Sequence, residues 1–253
     1  MSEPKATMAV IGTTPDGARD ERSAAQTVRK MFDEIAPRYD LANDVLSGGV
    51  DRLWWWRAAR TFRHILVRPE SEILDLCCGT GAMSVALHKR RPANGKSMVA
   101  ADFSHQMLKR GLERFRKRGI LPVEADALNL PFSSGRFQLV VSAFGFRNLA
   151  NYNAGLAEIF RVLAPGGEIG ILDFSEPKGV LGVMYRQYFR HVLPRLGALI
   201  SGKRTPYEYL PSSVGKFPSP DEMLERMKEV GFQQVRWTAY NLGIAGLYRG
   251  VKG

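Results

Sequence analysis

From Glu72 to Asp173 the chain alternates short apolar runs of strand length with segments of helical period, and this alternation narrows the possible folds more than any other feature. Strands separated by helices cannot be joined by hairpins. Each must return through a crossover helix, which makes the sheet parallel and covers both of its faces. The pattern predicts strands at Ile73–Cys77, Ser97–Asp102, around Pro122–Ala125, at Phe137–Ala143 and at Glu168–Asp173, the last opened by a Pro165-Gly166-Gly167 turn. Helices are expected from the first strand to about Lys89, from the second to near Gly119, and from about Tyr152 to Leu163. Two closing runs, Gln234–Asn241 and Ala245–Val251, flank Leu242-Gly243-Ile244 and read as an antiparallel hairpin. The expected class is α/β, with a Rossmann-like, seven-stranded, mostly parallel sheet ending in a hairpin.

Residues 1–22 lack apolar periodicity and are expected to be a flexible tail ahead of a single domain over 23–253. Within it, 23–70 reads as a helical cap, with Val28, Met31, Phe32 and Ile35, then Leu53, Trp54, Trp56 and Ala59, at helical spacing on either side of a Ser47-Gly48-Gly49 turn. Residues 178–215 read as a lid insertion, and Ser219-Pro220-Asp221-Glu222 as the start of a helix running to Val230. No run approaches the roughly 20 apolar residues of a membrane span, and no basic-then-apolar leader is present, so a cytoplasmic protein is expected. Cys77 and Cys78 are adjacent, where a disulfide would be strained, and are expected as reduced thiols.

The chemistry concentrates where the first strand meets its helix. In Cys77-Cys78-Gly79-Thr80-Gly81 the glycines sit where backbone passes close to a ligand without a Cβ in the way, although two glycines also suit an ordinary strand-to-helix turn. Asp102 follows at the end of the second strand, about 20 residues on, where a carboxylate can accept from both ribose hydroxyls or can cap a helix. Asp126 and Ala127, past the third strand, suit an adenine amino group and ring. A dinucleotide site would share these features. Three observations favour methyl transfer from S-adenosylmethionine instead: Ser84 stands where the dinucleotide fingerprint has its third small residue, Asp75 could receive a methionine amino group, and the chain ends in a hairpin. Asp75 beside the turn suits a cationic sulfonium better than a pyrophosphate.

Further segments carry a resemblance. They are Tyr39-Asp40-x-x-Asn43-Asp44-x-x-Ser47-x-Gly49 with Arg52-Leu53-Trp54, Leu130-Pro131-Phe132, Phe144-Gly145-x-Arg147-Asn148, Arg161-Val162-Leu163-x-Pro165-Gly166-Gly167, Phe174-Ser175-x-Pro177 and Arg249-Gly250-x-Lys252. Over about residues 28–252 the chain resembles the C-methyltransferases of menaquinone and ubiquinone biosynthesis. The resemblance implies the class I S-adenosylmethionine-dependent methyltransferase fold and methylation of a ring carbon of a reduced polyprenyl quinone, typically demethylmenaquinol, with a polyprenyl benzoquinol as the alternative acceptor. It implies cofactor contacts at Thr80, Asp102, Asp126 and Ala127, and at a serine directly before Phe-Gly. Here that position is Ala143, with Ser142 one residue earlier as the candidate, and the alternatives are a contact from backbone alone or none. Other departures are Asp51 and Trp55 beside Arg-Leu-Trp, the two cysteines of the turn, and Tyr248 where histidine precedes Arg-Gly.

A quinol ring becomes a carbon nucleophile when its hydroxyl is deprotonated, so the site must stabilise a phenolate. Arg147 could do this with nearby positive charge, Asn148 by donating an amide hydrogen bond, and Tyr39 from the substrate face. The plainer alternative makes Arg147 a salt-bridge partner and Tyr39 a packed lid residue. No His, Cys or carboxylate cluster has metal-ligand spacing, and the chemistry needs no metal. His191, alone among apolar residues, reads as structural.

A net charge of +11 asks for an anionic partner. From Arg52 to Arg68 there are five arginines and no carboxylate, and the apolar stretch Val180–Ile200 carries Arg186, Arg190 and Arg195. Both suit peripheral contact with an anionic membrane, at the inner face for a cytoplasmic enzyme, or else lid helices with solvated arginines. RNA methylation is the competing class, but the Asn/Asp-Pro-Pro-Tyr/Phe motif of amino methylation is missing after the fourth strand. A cofactor-binding protein without catalysis is a third reading. Oligomeric state stays open, a homodimer included.

Overall fold

In a computed structural model the described residues are 12, 13, 15, 18–177, 179, 182, 183, 187 and 205–253. They form a seven-stranded sheet of β1 (Ile73–Leu76), β2 (Val99–Asp102), β3 (Leu121–Glu124), β4 (Phe137–Ala143), β5 (Leu163–Phe174), β6 (Phe232–Tyr240) and β7 (Ala245–Lys252) in the order β3-β2-β1-β4-β5-β7-β6. Pairings are parallel from β3 through to β5 and antiparallel where β7 meets β5 and β6. The expected mostly parallel sheet with a terminal hairpin is therefore present. The order reverses at β1, which pairs with β2 on one side and β4 on the other, and an open α/β sheet places its ligand crevice at the carboxyl ends of the strands flanking such a point.

The central strands are buried on both faces because helices cover both. One face packs Leu74, Leu76, Val140, Ile169, Ile171 and Tyr248 against α7 (Tyr152–Val162) and α9 (Pro220–Val230). The other packs Ile73, Ala100, Leu139, Val141, Leu172 and Leu247 against α3 (Val50–Thr61), α5 (Ala82–His88) and α6 (His105–Arg116). Strand β3 lies at the sheet edge and is largely exposed, a place where Pro122 costs no ladder bond on its open side. Strand β5 begins at Leu163, before the Pro165-Gly166-Gly167 segment rather than after it. Phe137 already pairs with Leu163, and an irregularity between Phe137 and Leu139 absorbs the intervening residues, with Gly166 at φ 73°.

The cap comprises α1 (Glu21–Ile35), α2 (Tyr39–Ser47), α3 and α4 (Arg63–Leu66). Helix α1 starts two residues before the expected boundary because Asp20 and Ser23 form a reciprocal capping box. Of the tail expected over 1–22, Thr13 is buried and bonded, with its N–H donating to the Leu149 carbonyl at 2.8 Å. In α3, Trp54 and Ala59 face the core as expected, whereas Leu53 and Trp56 point outward at 49% and 46% exposure. Of the expected lid, α8 (Thr205–Lys216) is described, while His191 and the arginines at 186, 190 and 195 lie outside the described residues, as does most of 180–200. Cys77 and Cys78 are free thiols.

Candidate active site

At the end of β1 the backbone turns left-handed at Cys77 (φ 54°), Gly79 (φ 56°) and Gly81 (φ 89°) before α5 begins. The two glycines have different reasons. A Cβ on Gly81 would lie 2.4 Å from the Phe115 ring, so packing beneath the turn excludes a side chain there, and Gly81 is absent from the cavity wall where it was expected. At Gly79 a Cβ would meet only the Tyr39 ring, at 4.0 Å, and this glycine does line the cavity.

Four carboxylates surround the turn. Asp102 accepts from the Gly79 N–H at 2.8 Å and the Ser104 N–H at 2.9 Å, fixing β2 to the turn. Burial pushes its pKa up to about 6, with Asp33 adding repulsion and the two backbone bonds opposing. Ser104, not Asp102, caps α6. Asp75 is wholly buried. Its Oδ2 accepts from the Ser84 hydroxyl at 2.5 Å, Oδ1 has no partner, and burial raises its pKa to about 7. Ser84, missed as a supporting residue, is thus the group that orients Asp75. Asp40 accepts from the Thr80 hydroxyl and from Arg114, each at 2.5 Å, joining α2, the turn and α6. Asp126 is exposed, with its Oδ1 taken by the Leu128 N–H at 2.9 Å, and Ala127 beside it is buried.

The other end of the site is built where β4 and β5 finish side by side. Phe144 is left-handed at φ 58°, and a Cβ on Gly145 would fall 2.3 Å from the Cys77 Cβ, so the Phe144-Gly145 pair can turn here only because position 145 has no side chain. The turn buries Arg147 against Asp173, the penultimate residue of β5. Asp173 accepts from the Arg147 Nη1 at 2.9 Å and from its backbone N–H at 3.1 Å, and Nη1 also donates to the Phe144 carbonyl. The guanidinium carbon lies 5.2 Å from the Phe174 ring centroid. The salt-bridge alternative for Arg147 is therefore real, and Asp173 was not singled out from sequence. Asn148 presents a buried Oδ1 without a partner. Phe144, Phe174 and Trp54 form an aromatic wall with centroid separations of 4.7 to 6.1 Å. Burial pushes the Tyr39 phenol pKa up, with Asn43 as hydrogen-bond partner and Arg147 and Asp102 close enough to act on it.

One cavity of about 830 Å³ joins the two ends. Tyr39, Asp75, Gly79, Thr80, Asp102, Asp126, Ala127, Arg147 and Asn148 all line it, as do Arg114 and Tyr209, which sequence reasoning missed. Ser142 does not. It pairs in register with Leu76 and belongs to the alternation of Val140, on the α7 face, so its side chain is buried in the sheet while Ala143 reaches the cavity. The Ser142 hydroxyl is thus kept from the cavity because one step along a strand reverses the face, which leaves the backbone-only or lost contact at Ala143. Buried carboxylates at one end favour a cation, and a clamped guanidinium beside an orphan amide oxygen favours a hydroxylated ring at the other.

A model of the ubiE/COQ5 methyltransferase family matches residues 19–252. Over 236 residues the chain is 44% identical to a protein of Deinococcus radiodurans named demethylmenaquinone methyltransferase, spanning 92% of this chain and 95% of that one. A Thermus thermophilus protein of the same name is 46% identical over 223 residues, 87% of this chain and 99% of its own length. Among solved structures, a SAM-dependent methyltransferase of Thermotoga maritima, titled a possible histamine N-methyltransferase, has a TM-score of 0.60 at 19% identity, covering 88% of this chain and 99% of that one; this likeness is one of fold.

Proposed function

Because the chain belongs to the ubiE/COQ5 methyltransferase family, we propose that it is an S-adenosylmethionine-dependent C-methyltransferase converting a reduced polyprenyl quinone, demethylmenaquinol in the first place, to its ring-methylated product. The observation that carries this reading is the single cavity joining a carboxylate-lined glycine turn to the Arg147–Asn148 end. The orphan Oδ1 of Asp75 and the open side of Gly79 fit the cofactor. Gly79, Thr80, Asp102, Asp126 and Ala127 would hold its nucleoside, and Asp75 its amino group. When bound, S-adenosylmethionine supplies an electrophilic methyl carbon on a sulfonium.

The protein's own part is to hold the acceptor ring and its oxygen. A guanidinium does not act as a base, so the quinol proton passes to water or to a nearby side chain. Asp173 offsets much of its charge, which makes the guanidinium a fixed hydrogen-bond donor and local dipole toward a phenolate rather than a free cation. Asn148 offers an acceptor to the remaining hydroxyl, and the wall of Trp54, Phe144 and Phe174 excludes water from the transfer.

The acceptor's tail calls for contact with a bilayer. Large apolar side chains are exposed on α2 (Leu41, Val45), α3 (Leu53, Trp56) and the hairpin tip (Leu242), and the arginines from Arg52 to Arg68 accompany them. Trp56 both lines the cavity and reaches the surface. Peripheral docking of this face on an anionic membrane would let the tail stay in lipid while the ring enters. No helix among the described residues is long and apolar enough to cross a membrane.

The test is transfer of labelled methyl to reduced demethylmenaquinone and to the benzoquinol precursor in detergent. Labelled naphthoquinol is expected. Asp102→Ala should lower kcat/KM by about 100-fold or more, mainly through cofactor affinity, and Arg147→Lys should lower kcat by about 100-fold with cofactor affinity kept. No product from either quinol with cofactor bound would overturn the reading.

A further inference from the structure

We propose that Gly12 and Thr13 form a strap that positions Tyr209 as a wall of the acceptor end of the cavity, and so set the affinity for the acceptor ring; this rests on the methyl-transfer reading above. The strap lies flat on the turn that carries Arg147 and Asn148. A Cβ on Gly12 would fall 2.2 Å from the Leu149 carbonyl oxygen and 2.4 Å from the Ala150 carbonyl carbon, so only glycine permits this approach. Thr13 is 1% exposed, donates its N–H to the Leu149 carbonyl at 2.8 Å, and shares a 2.5 Å hydrogen bond with the Tyr209 hydroxyl. A second tie follows where the Asn151 amide donates to Glu21 at 2.8 Å.

Tyr209 stands on α8 and lines the cavity together with Leu149, Ala150 and Asn148, whereas Thr13 stands behind it and does not line the cavity. Arg147 and Asp173 both act electrostatically on its hydroxyl, and burial raises its pKa, so the phenol stays neutral. Thr13 is therefore a positioning residue, acting through a ring that faces the acceptor. The family match begins at residue 19, so Gly12 and Thr13 lie ahead of the segment that the family model covers.

The test uses the full-length chain with Thr13→Val, Thr13→Ser, Tyr209→Phe and the Thr13→Val/Tyr209→Phe pair. Acceptor affinity is read as quenching of tryptophan fluorescence by a short-tailed demethylated naphthoquinone, cofactor affinity by calorimetry, and turnover by methyl transfer. Thr13→Val and Tyr209→Phe should each weaken acceptor binding and raise its KM by about 3- to 10-fold, the loss of one buried hydrogen bond, with kcat and cofactor affinity unchanged. The pair should lose no more than either alone, and Thr13→Ser should keep wild-type values. Additive losses, an equal loss of cofactor affinity, or unchanged acceptor affinity would overturn the strap while leaving the reaction standing. Quenching in the wild type without methyl transfer would overturn the reaction alone, and no quenching in the wild type would overturn both.

Discussion

Asp75 and Asp102 sit at the ends of neighbouring strands with pKa values raised from 3.8 to about 7 and about 6, burial being the first cause for both. Between those limits the folded chain holds protons that the unfolded chain has released. Their contribution to stability is thus greatest at acid pH and declines as pH rises from about 4 to about 7. A bound cation reverses the balance. Cofactor affinity should climb through the same window with release of protons, seen as buffer-dependent heats in calorimetry near pH 6, and Asp75→Asn should flatten the climb. An affinity that does not change with pH would show that neither carboxylate faces the ligand's charge. At this scale the sequence was readable wherever a residue's place in the cavity follows from its own strand. Asp75, Asp102 and the Gly79 turn belong to that group, whereas Asp173 became visible only once β4 and β5 were adjacent. Register keeps Ser142 from the cavity wall, and Gly81 is set by Phe115, remote in sequence.

Elements tell a similar story. Alternation of strand and helix is a local signal, so the sheet was legible, hairpin included. The early start of β5 was not, because pairing with Phe137 outweighed a turn signal at Pro165-Gly166-Gly167. The outward turn of Leu53 and Trp56 was hidden too, since α3 borders both core and cavity and its apolar residues do not share one face. Helix α2 is tied to the glycine turn and to α6 by the Asp40–Thr80–Arg114 contacts. Asp40 and Arg114 are 44% and 40% exposed, so the ion pair contributes about 0–1 kcal/mol to stability. Tyr39, on the same helix, lies over Gly79 in the cavity wall, so loosening the contact is expected to act on cofactor release rather than on folding. Asp40→Asn should leave the melting midpoint nearly unchanged while speeding cofactor release several-fold in stopped-flow measurements; a large fall in the midpoint with unchanged release would assign the contact to folding instead.

For the molecule as a whole, charge and apolar surface coincide on the cap. Sedimentation with vesicles should show binding that rises with anionic lipid and falls with salt, and Leu53→Ser with Trp56→Ser should weaken it by about 10-fold or more, given the apolar area each side chain buries. Recovery of the wild type in the supernatant at every lipid composition would remove the membrane from the account. The sheet order has a further effect. The last strand made, β7, is not an edge strand but fills the slot between β5 and β6, and its Gly246 and Ala245 pair with Asp173 and Phe174 beside Arg147. Until β7 inserts, that slot is empty, and Asp173 and Phe174 lack the strand that pairs with them. The acceptor end of the site therefore takes its final shape from a segment far along the chain from the turn that carries Arg147, so the site closes only after the hairpin has folded back.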